Sequence, residues 1–278
     1  MIVSTDTETS VTIHMDMPNE VYHAERDHIS RSTAHRYRGV DGGPSQWYVD
    51  TYGESLFGGN SATTFGTLVD VACEAEMRGN NWRNAVAVPP PGVLAADGSR
   101  RGKAFQEWRA SLMPGALECA AADFVKVERI IASIRKHRMA NALLEAATHT
   151  QYTVFWTDAE GHRRKARADG VTDKCWFDLK TTSSEWRDLK WSFGRFGYDW
   201  QAVWYSDAAA VAGFEAFEFP FVVVQTFAPF AVRVVKLSEG VLTRAAFEIK
   251  DTLNLIRDRR ASGDYFPEQY HGLVELDF

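Results

Sequence analysis

The chain has 278 residues, 45% of them hydrophobic and 13% aromatic, which is enough to bury a large core and too apolar for a disordered chain. A net charge of −6 argues against nucleic-acid binding by bulk electrostatics, yet allows an enzyme that confines its cations to a channel. The three cysteines, Cys73, Cys119 and Cys175, form no CxxC pair, which argues against zinc ribbons, iron–sulfur clusters and a disulfide framework.

In chain order, residues 1–16 read as a polar, flexible terminus with no basic-then-apolar signal. Residues 17–60 read as a peripheral helical arm, and residues 61–278 as the main domain. Within the arm, Ser30 or Ser32 caps a helix through Ala34, His35 and Tyr37. Asp41-Gly42-Gly43-Pro44-Ser45 then breaks the segment before a helical turn at Gln46–Tyr52. Thr64 to Met77 is helical, with Phe65, Leu68, Val69, Ala72 and Cys73 on one face. A strand at Asn84–Val88 is stopped by prolines 89–91. After a loop to Arg101 come a helix through Phe105, Trp108 and Leu112 and another from Ala121 to Lys136.

From Thr150 the pattern becomes strand-like. Gln151–Trp156, Arg164–Val171 and Trp176–Thr182 form an antiparallel meander with turns at 158–161 and Asp173-Lys174. A helix at Tyr198–Val211 is followed by strands at Ala216–Thr226 and Phe230–Leu237 and a last helix from Glu239 to Arg260. The sum is a mixed α/β domain, a mostly antiparallel sheet flanked by helices. No stretch approaches the roughly 20 apolar residues that span a bilayer, and a soluble cytoplasmic protein is expected.

The chemistry concentrates in the hairpin. With a two-residue turn, residues whose numbers sum to a constant face each other, and Asp169 stands across from Asp178. Asp178 and Lys180 point to one face, Phe177 and Leu179 to the other. Two carboxylates and an ammonium converging on one spot suit a hard divalent cation such as magnesium or manganese. The ordinary alternative, a solvated cross-strand ion pair, stays open on the hairpin alone. Gln201 and Tyr205, four apart on a helix, share a face. Asp70 sits on a helix four residues after Gly66. Basic residues crowd the hairpin, including Arg164 and Arg167 before Asp169 and Arg187 and Lys190 after it; they form either a DNA-facing patch or solvated strand ends.

Taken in order, Ser30-Arg31-Ser32, Gly66 to Asp70, Arg101 to Phe105, Arg167-Ala168-Asp169-Gly170, Asp178-Leu179-Lys180-Thr181-Thr182, Gln201 to Tyr205 and Phe221 to Phe230 resemble the PD-(D/E)XK nuclease superfamily. The likeness is closest to RecE-type phage and prophage exonucleases (the exonuclease VIII group), among the RecB-like nucleases. The resemblance implies a restriction-endonuclease-like core. It also implies Asp70, Asp169, Asp178 and the Leu179 carbonyl as metal ligands, with Lys180, Gln201 and Tyr205 as further catalytic groups. Arg164, Arg167, Thr181, Thr182, Arg187 and Lys190 are expected to contact DNA. Asp70 stands where relatives usually carry histidine, and Gln151 where they often carry glutamate. The implied activity is magnesium- or manganese-dependent 5′-to-3′ degradation of linear duplex DNA in phage-type recombination, by a homo-oligomer working beside a single-strand annealing protein. An endonuclease or end-trimming enzyme on the same scaffold, a non-catalytic DNA-binding accessory protein and a small-phosphate-ester hydrolase are the alternatives.

Overall fold

The computed structural model describes residues 10–38, 43–53, 61–214 and 218–265. The expected flexible start at 1–9, the break at 41–42 and the strand residues 216 and 217 lie outside them. The N-terminal third supplies β1 (Val11–His14), α1 (Asn19–Ala24), β2 (Ile29–Ser30), α2 (Arg31–Arg38), α3 (Pro44–Tyr52) and α4 (Ser61–Met77). A small two-stranded sheet pairs β3 (Val86–Ala87) with β4 (Leu117–Glu118), and α5 (Lys103–Ala110) lies between them in sequence. Then come α6 (Ala121–Lys136) and α7 (Arg138–Glu145). The meander is β5 (His149–Thr157), β6 (Arg163–Val171) and β7 (Trp176–Thr182). The chain continues through α8 (Leu189–Arg195), α9 (Tyr198–Val211), β8 (Phe221–Gln225), β9 (Val232–Val235) and α10 (Glu239–Ser262).

The main sheet has the order β1-β5-β6-β7-β8-β9, with β2 attached to β6. Its pairs are antiparallel except β7–β8 and β2–β6. Two apolar layers cover it. Tyr152, Val154, Trp156, Trp176, Phe221 and Val223 pack under α9 and α10. Phe177, Leu179, Val222 and Val224 pack under α4, α6 and α7 with Leu68, Ile130 and Ile134. The period-2 alternation of β7 and β8 feeds both layers, as a sheet covered on two faces requires.

The first fifty residues differ from expectation. Val11–His14 is not a loose terminus but an edge strand, Val11 opposite Trp156 and His14 opposite Thr153. The segment expected as a peripheral arm is built into the core: Ile29, Ala34, Tyr37 and Trp47 are buried with Trp156 and Trp200. Its apolar residues are scattered along short helices, and they are buried against α9 and α10, elements more than a hundred residues away. Among the described residues no helix is long and apolar enough to cross a membrane.

Candidate active site

The hairpin has the expected register. Thr172 donates its N–H to Cys175 O at 2.8 Å across the Asp173-Lys174 turn, and the ladder continues as Val171↔Trp176 and Gly170↔Phe177. It stops there, which corrects the direct apposition of Asp169 and Asp178. Beyond Gly170 the two strands part, and the Asp169 carboxylate accepts the Leu179 N–H at 2.9 Å. Gly170 makes the close approach possible: a Cβ there would lie 2.2 Å from Phe177 Cζ.

Gln151 stands opposite Asp169 on the other side of β6, between the pairs Thr150↔Gly170 and Tyr152↔Ala168. Its φ of 51° is left-handed, a region that non-glycine residues seldom occupy. At the same level Ala168 and Val171, three residues apart, serve one core layer, so the alternation of β6 is interrupted at Asp169-Gly170. This local break frees the Asp169 carboxylate from the sheet.

Asp178 and Lys180 project toward α9, as the alternation predicts. Asp178, only 2% exposed, accepts a hydrogen bond from Gln201 Nε2 at 2.5 Å on one oxygen and pairs with Lys180 Nζ through the other. Gln201 Oε1 in turn accepts from Arg31 at 3.1 Å, and the same guanidinium donates to Phe196 O at 2.9 Å. Arginine has only donors, so it fixes which end of the amide faces it. The other end must then offer N–H to Asp178. Asp70 enters from α4. All six of these side chains (Asp70, Asp169, Asp178, Lys180, Gln201 and Tyr205) line one cavity of about 640 Å³.

The electrostatics are those of an acid cluster short of positive charge. Burial pushes the Asp70 carboxyl up to about 7; Lys180 pulls it down, while Asp178 and Glu74 add to the rise. Burial, then Asp178 and Asp70, hold Asp169 well above the usual carboxylate range. Burial works against the Lys180 charge, yet Asp178 and Asp169 outweigh it and hold the ammonium above its ordinary value. Burial also keeps the Tyr205 phenol well above its normal value, a protonated donor at neutral pH.

This donor set fits a hard divalent cation. Buried carboxylates that would rather hold protons are relieved by a cation. A strand residue's N–H and C=O leave the chain on one side. The Asp178 N–H points to β8, donating to Pro220 O at 3.3 Å, so Leu179 turns both its groups toward Asp169. Asp70, Asp169 and Asp178 bring carboxylate oxygens to this cavity, with the Leu179 carbonyl on the Asp169 side and Glu74 also in the lining. Among the described residues, the group of three acidic or imidazole side chains whose ligand atoms already lie within 4.8 Å of one another is elsewhere, Asp158, Glu160 and His162 at the β5–β6 turn. There Asp158 accepts the His162 backbone N–H at 2.8 Å and Arg164 approaches it at 3.8 Å, a turn-closing arrangement with a cation in place.

The residues expected to contact DNA are scattered. Arg164 requires correction: it is buried, paired with Asp207 at 2.8 Å, and its guanidinium lies 4.0 Å from the Trp204 ring and 4.8 Å from that of Trp156. It belongs to the core. Arg167 lines the cavity, hydrogen-bonded to Asn19 and stacked 4.3 Å from Tyr22. Thr181 and Thr182 border a different cavity beyond Lys180. Arg187 and Lys190 are exposed on the adjacent segment. Among the cavity residues with no expected role, Arg31 and Glu74 bear most directly on the acids. Arg31 lay in the quoted Ser-Arg-Ser triplet, but its partner Gln201 is 170 positions away. Glu74 was legible as the i+4 neighbour of Asp70 on α4, and it pairs with Arg78 at 2.8 Å.

A family model described as "PDDEXK-like domain of unknown function (DUF3799)" matches residues 52–269. A crystal structure of a "Putative exonuclease" from Eubacterium rectale is similar with a TM-score of 0.62, covering 95% of this chain and 97% of that one at 15% identity. At that identity the likeness is one of fold. No curated protein matches the chain.

Proposed function

The chain belongs to the PDDEXK-like family, and from that premise we propose that it is a divalent-metal-dependent deoxyribonuclease. The observation that supports this reading most is the convergence of Asp70, Asp169, Asp178, Lys180 and Gln201 on one cavity from α4, the β6–β7 hairpin and α9. Magnesium or manganese is the proposed cofactor, with Asp70, Asp169, Asp178 and the Leu179 carbonyl as its ligands. When bound, such an ion lowers the pKa of water and neutralises charge on the phosphoryl oxygens.

The protein groups have separable tasks. Lys180 supplies a fixed cation beside the scissile phosphate, where charge builds up during hydrolysis. Its Asp178 partner keeps it protonated in the free enzyme. Gln201 donates to Asp178 and so fixes the orientation of that carboxylate in the cavity. Arg31 holds the Gln201 amide in that orientation. Tyr205, on the same face as Gln201, remains a donor for phosphate or water.

Resemblance to RecE-type enzymes supports the finer reading: 5′-to-3′ degradation of one strand from a linear duplex end, in phage-type recombination, by a cytoplasmic homo-oligomer beside a single-strand annealing protein. The test uses linear and covalently closed circular duplexes, labelled at either end where ends exist, with magnesium. Mononucleotide release from the 5′ end of linear DNA alone is the expected result. Cutting of the closed circle would assign an endonuclease, and no cutting of any DNA would favour an accessory role.

A further inference from the structure

A second cavity, of about 610 Å³, begins where the candidate active site ends. Thr181 and Thr182 follow Lys180 directly on β7 and form part of its wall. The opposite wall is α8 and its C-terminal cap, which bring Trp191, Ser192, Arg195 and Phe196 to it. Two large aromatic side chains here are turned outward: Trp191 is 70% exposed and Phe196 52% exposed. Isolated exposed apolar residues are ordinary. A pair on one wall of a cleft, interleaved with cations, is a different arrangement.

Lys190 Nζ lies 5.0 Å over the Trp191 ring, and Arg195 is exposed beside it. Lys126 reaches the far side, 5.5 Å over the Phe65 ring. The acids of the cleft are already matched, Asp123 with Lys126 at 3.4 Å and Asp188 with Arg187 at 3.6 Å. The Lys190 and Arg195 charges are then available to an anion. The floor is rigid. Thr182 O accepts the Thr226 N–H at 2.9 Å, Ser184 N–H bonds Thr182 Oγ1 at 3.0 Å, and the hydroxyls of Ser184 and Ser192 are 2.8 Å apart. From the active-site side, Phe196 is tied in through its carbonyl to Arg31.

Exposed aromatic rings between cations suit a polyanion whose flat apolar groups are free to stack. Inside a duplex both faces of every base are covered by its neighbours, whereas an unpaired nucleotide offers a free face with phosphate on either side. We infer that the α8 cleft, with Trp191 as its platform, binds an unpaired single-stranded DNA segment adjoining the bond to be cut. The substrate at the moment of cleavage is then a frayed end or overhang, not an intact duplex. This rests on the nuclease reading of the neighbouring site and specifies its substrate.

The test separates the two. Fluorescence anisotropy is measured in chelator, where no cleavage can occur, with a labelled oligothymidylate and an equally long oligomer of abasic deoxyribose phosphates. Trp191→Ala is expected to weaken oligothymidylate binding by about five- to hundredfold, the range seen when a stacking ring is removed, and to leave the abasic oligomer nearly unaffected. Trp191→Phe should retain most of the affinity. Equal loss on both oligomers, no loss on either, or no oligothymidylate binding by the wild type would overturn the inference. A change in sedimentation coefficient caused by Trp191→Ala would assign the face to a second copy of the chain and overturn it as well. Magnesium-dependent cleavage of linear duplex by the wild type, run in parallel, judges the nuclease reading on its own.

Discussion

The Asp169 carboxylate accepts the Leu179 backbone N–H at 2.9 Å across a gap where β6 and β7 have stopped pairing. One side chain thereby replaces a ladder hydrogen bond and stands beside the Leu179 carbonyl. Asp169→Asn keeps an oxygen acceptor for that N–H but removes a charge that burial and two neighbouring acids oppose. Its melting temperature in chelator should equal or exceed that of the wild type. Its hydrolysis rate should fall by about 10²-fold or more, the scale of losing one preorganised charge at a reacting centre. Calorimetry and a nucleotide-release assay check the two halves; a destabilised but active variant would contradict them.

The Arg31–Gln201–Asp178 relay predicts a graded series. Gln201→Glu sets a second carboxylate against Asp178 in place of an amide donor, so the maximal rate at saturating magnesium should drop. Arg31→Ala frees the amide to rotate, and kcat should fall by roughly tenfold, the cost of one lost charge-assisted hydrogen bond. Arg31→Lys should recover only part, because one ammonium cannot hold Gln201 and Phe196 O in the planar fork geometry. Steady-state rates against magnesium concentration give the readout.

The acid cluster sets a pH trend for the metal-free protein. Asp70 is pushed up to about 7 by burial, against about 3.9 for an unfolded aspartate. Between these values the folded chain holds a proton that the unfolded chain has released, so stability falls as pH rises from about 4 to about 7. Asp169 is shifted in the same direction. In chelator, the wild type should therefore melt lower at pH 8 than at pH 5, and Asp70→Asn should reduce that difference. An unchanged slope in the variant would remove Asp70 from the cluster.

Arg164 and Arg167 are three residues apart and predict opposite phenotypes. Arg164→Ala removes a buried cation from between two tryptophans and from its pairs with Asp158 and Asp207; stability should fall by about 1–3 kcal/mol. DNA affinity of the folded protein should not change. Arg167→Ala, at the cavity wall, should weaken DNA binding and reduce its salt dependence while melting near the wild-type temperature. Denaturant titration and anisotropy distinguish them.

The same pair shows what the sequence could disclose. Local spacing was enough for the hairpin: the Asp173-Lys174 turn fixes the register, and alternation sends Phe177 and Leu179 to the core and Asp178 and Lys180 to the cavity. Helix spacing placed Gln201 with Tyr205 and could have placed Glu74 with Asp70. What spacing could not supply were partners from distant elements. Arg164 reads as one more basic strand residue until Trp204 and Asp207, some forty positions later, close over it. Arg31 gains meaning only from Gln201. The divergence of β6 from β7 begins where β8 joins β7 at Asp178 and lies level with the left-handed backbone of Gln151, neither of which local pattern encodes.

The most direct test of the metal-centre assignment is the rate of nucleotide release from a linear duplex by wild type and Asp178→Asn, each with magnesium and with chelator. Release is expected only from the wild type and only with magnesium, the variant remaining folded. Equal release by the two proteins, or release undiminished by chelator, would contradict it.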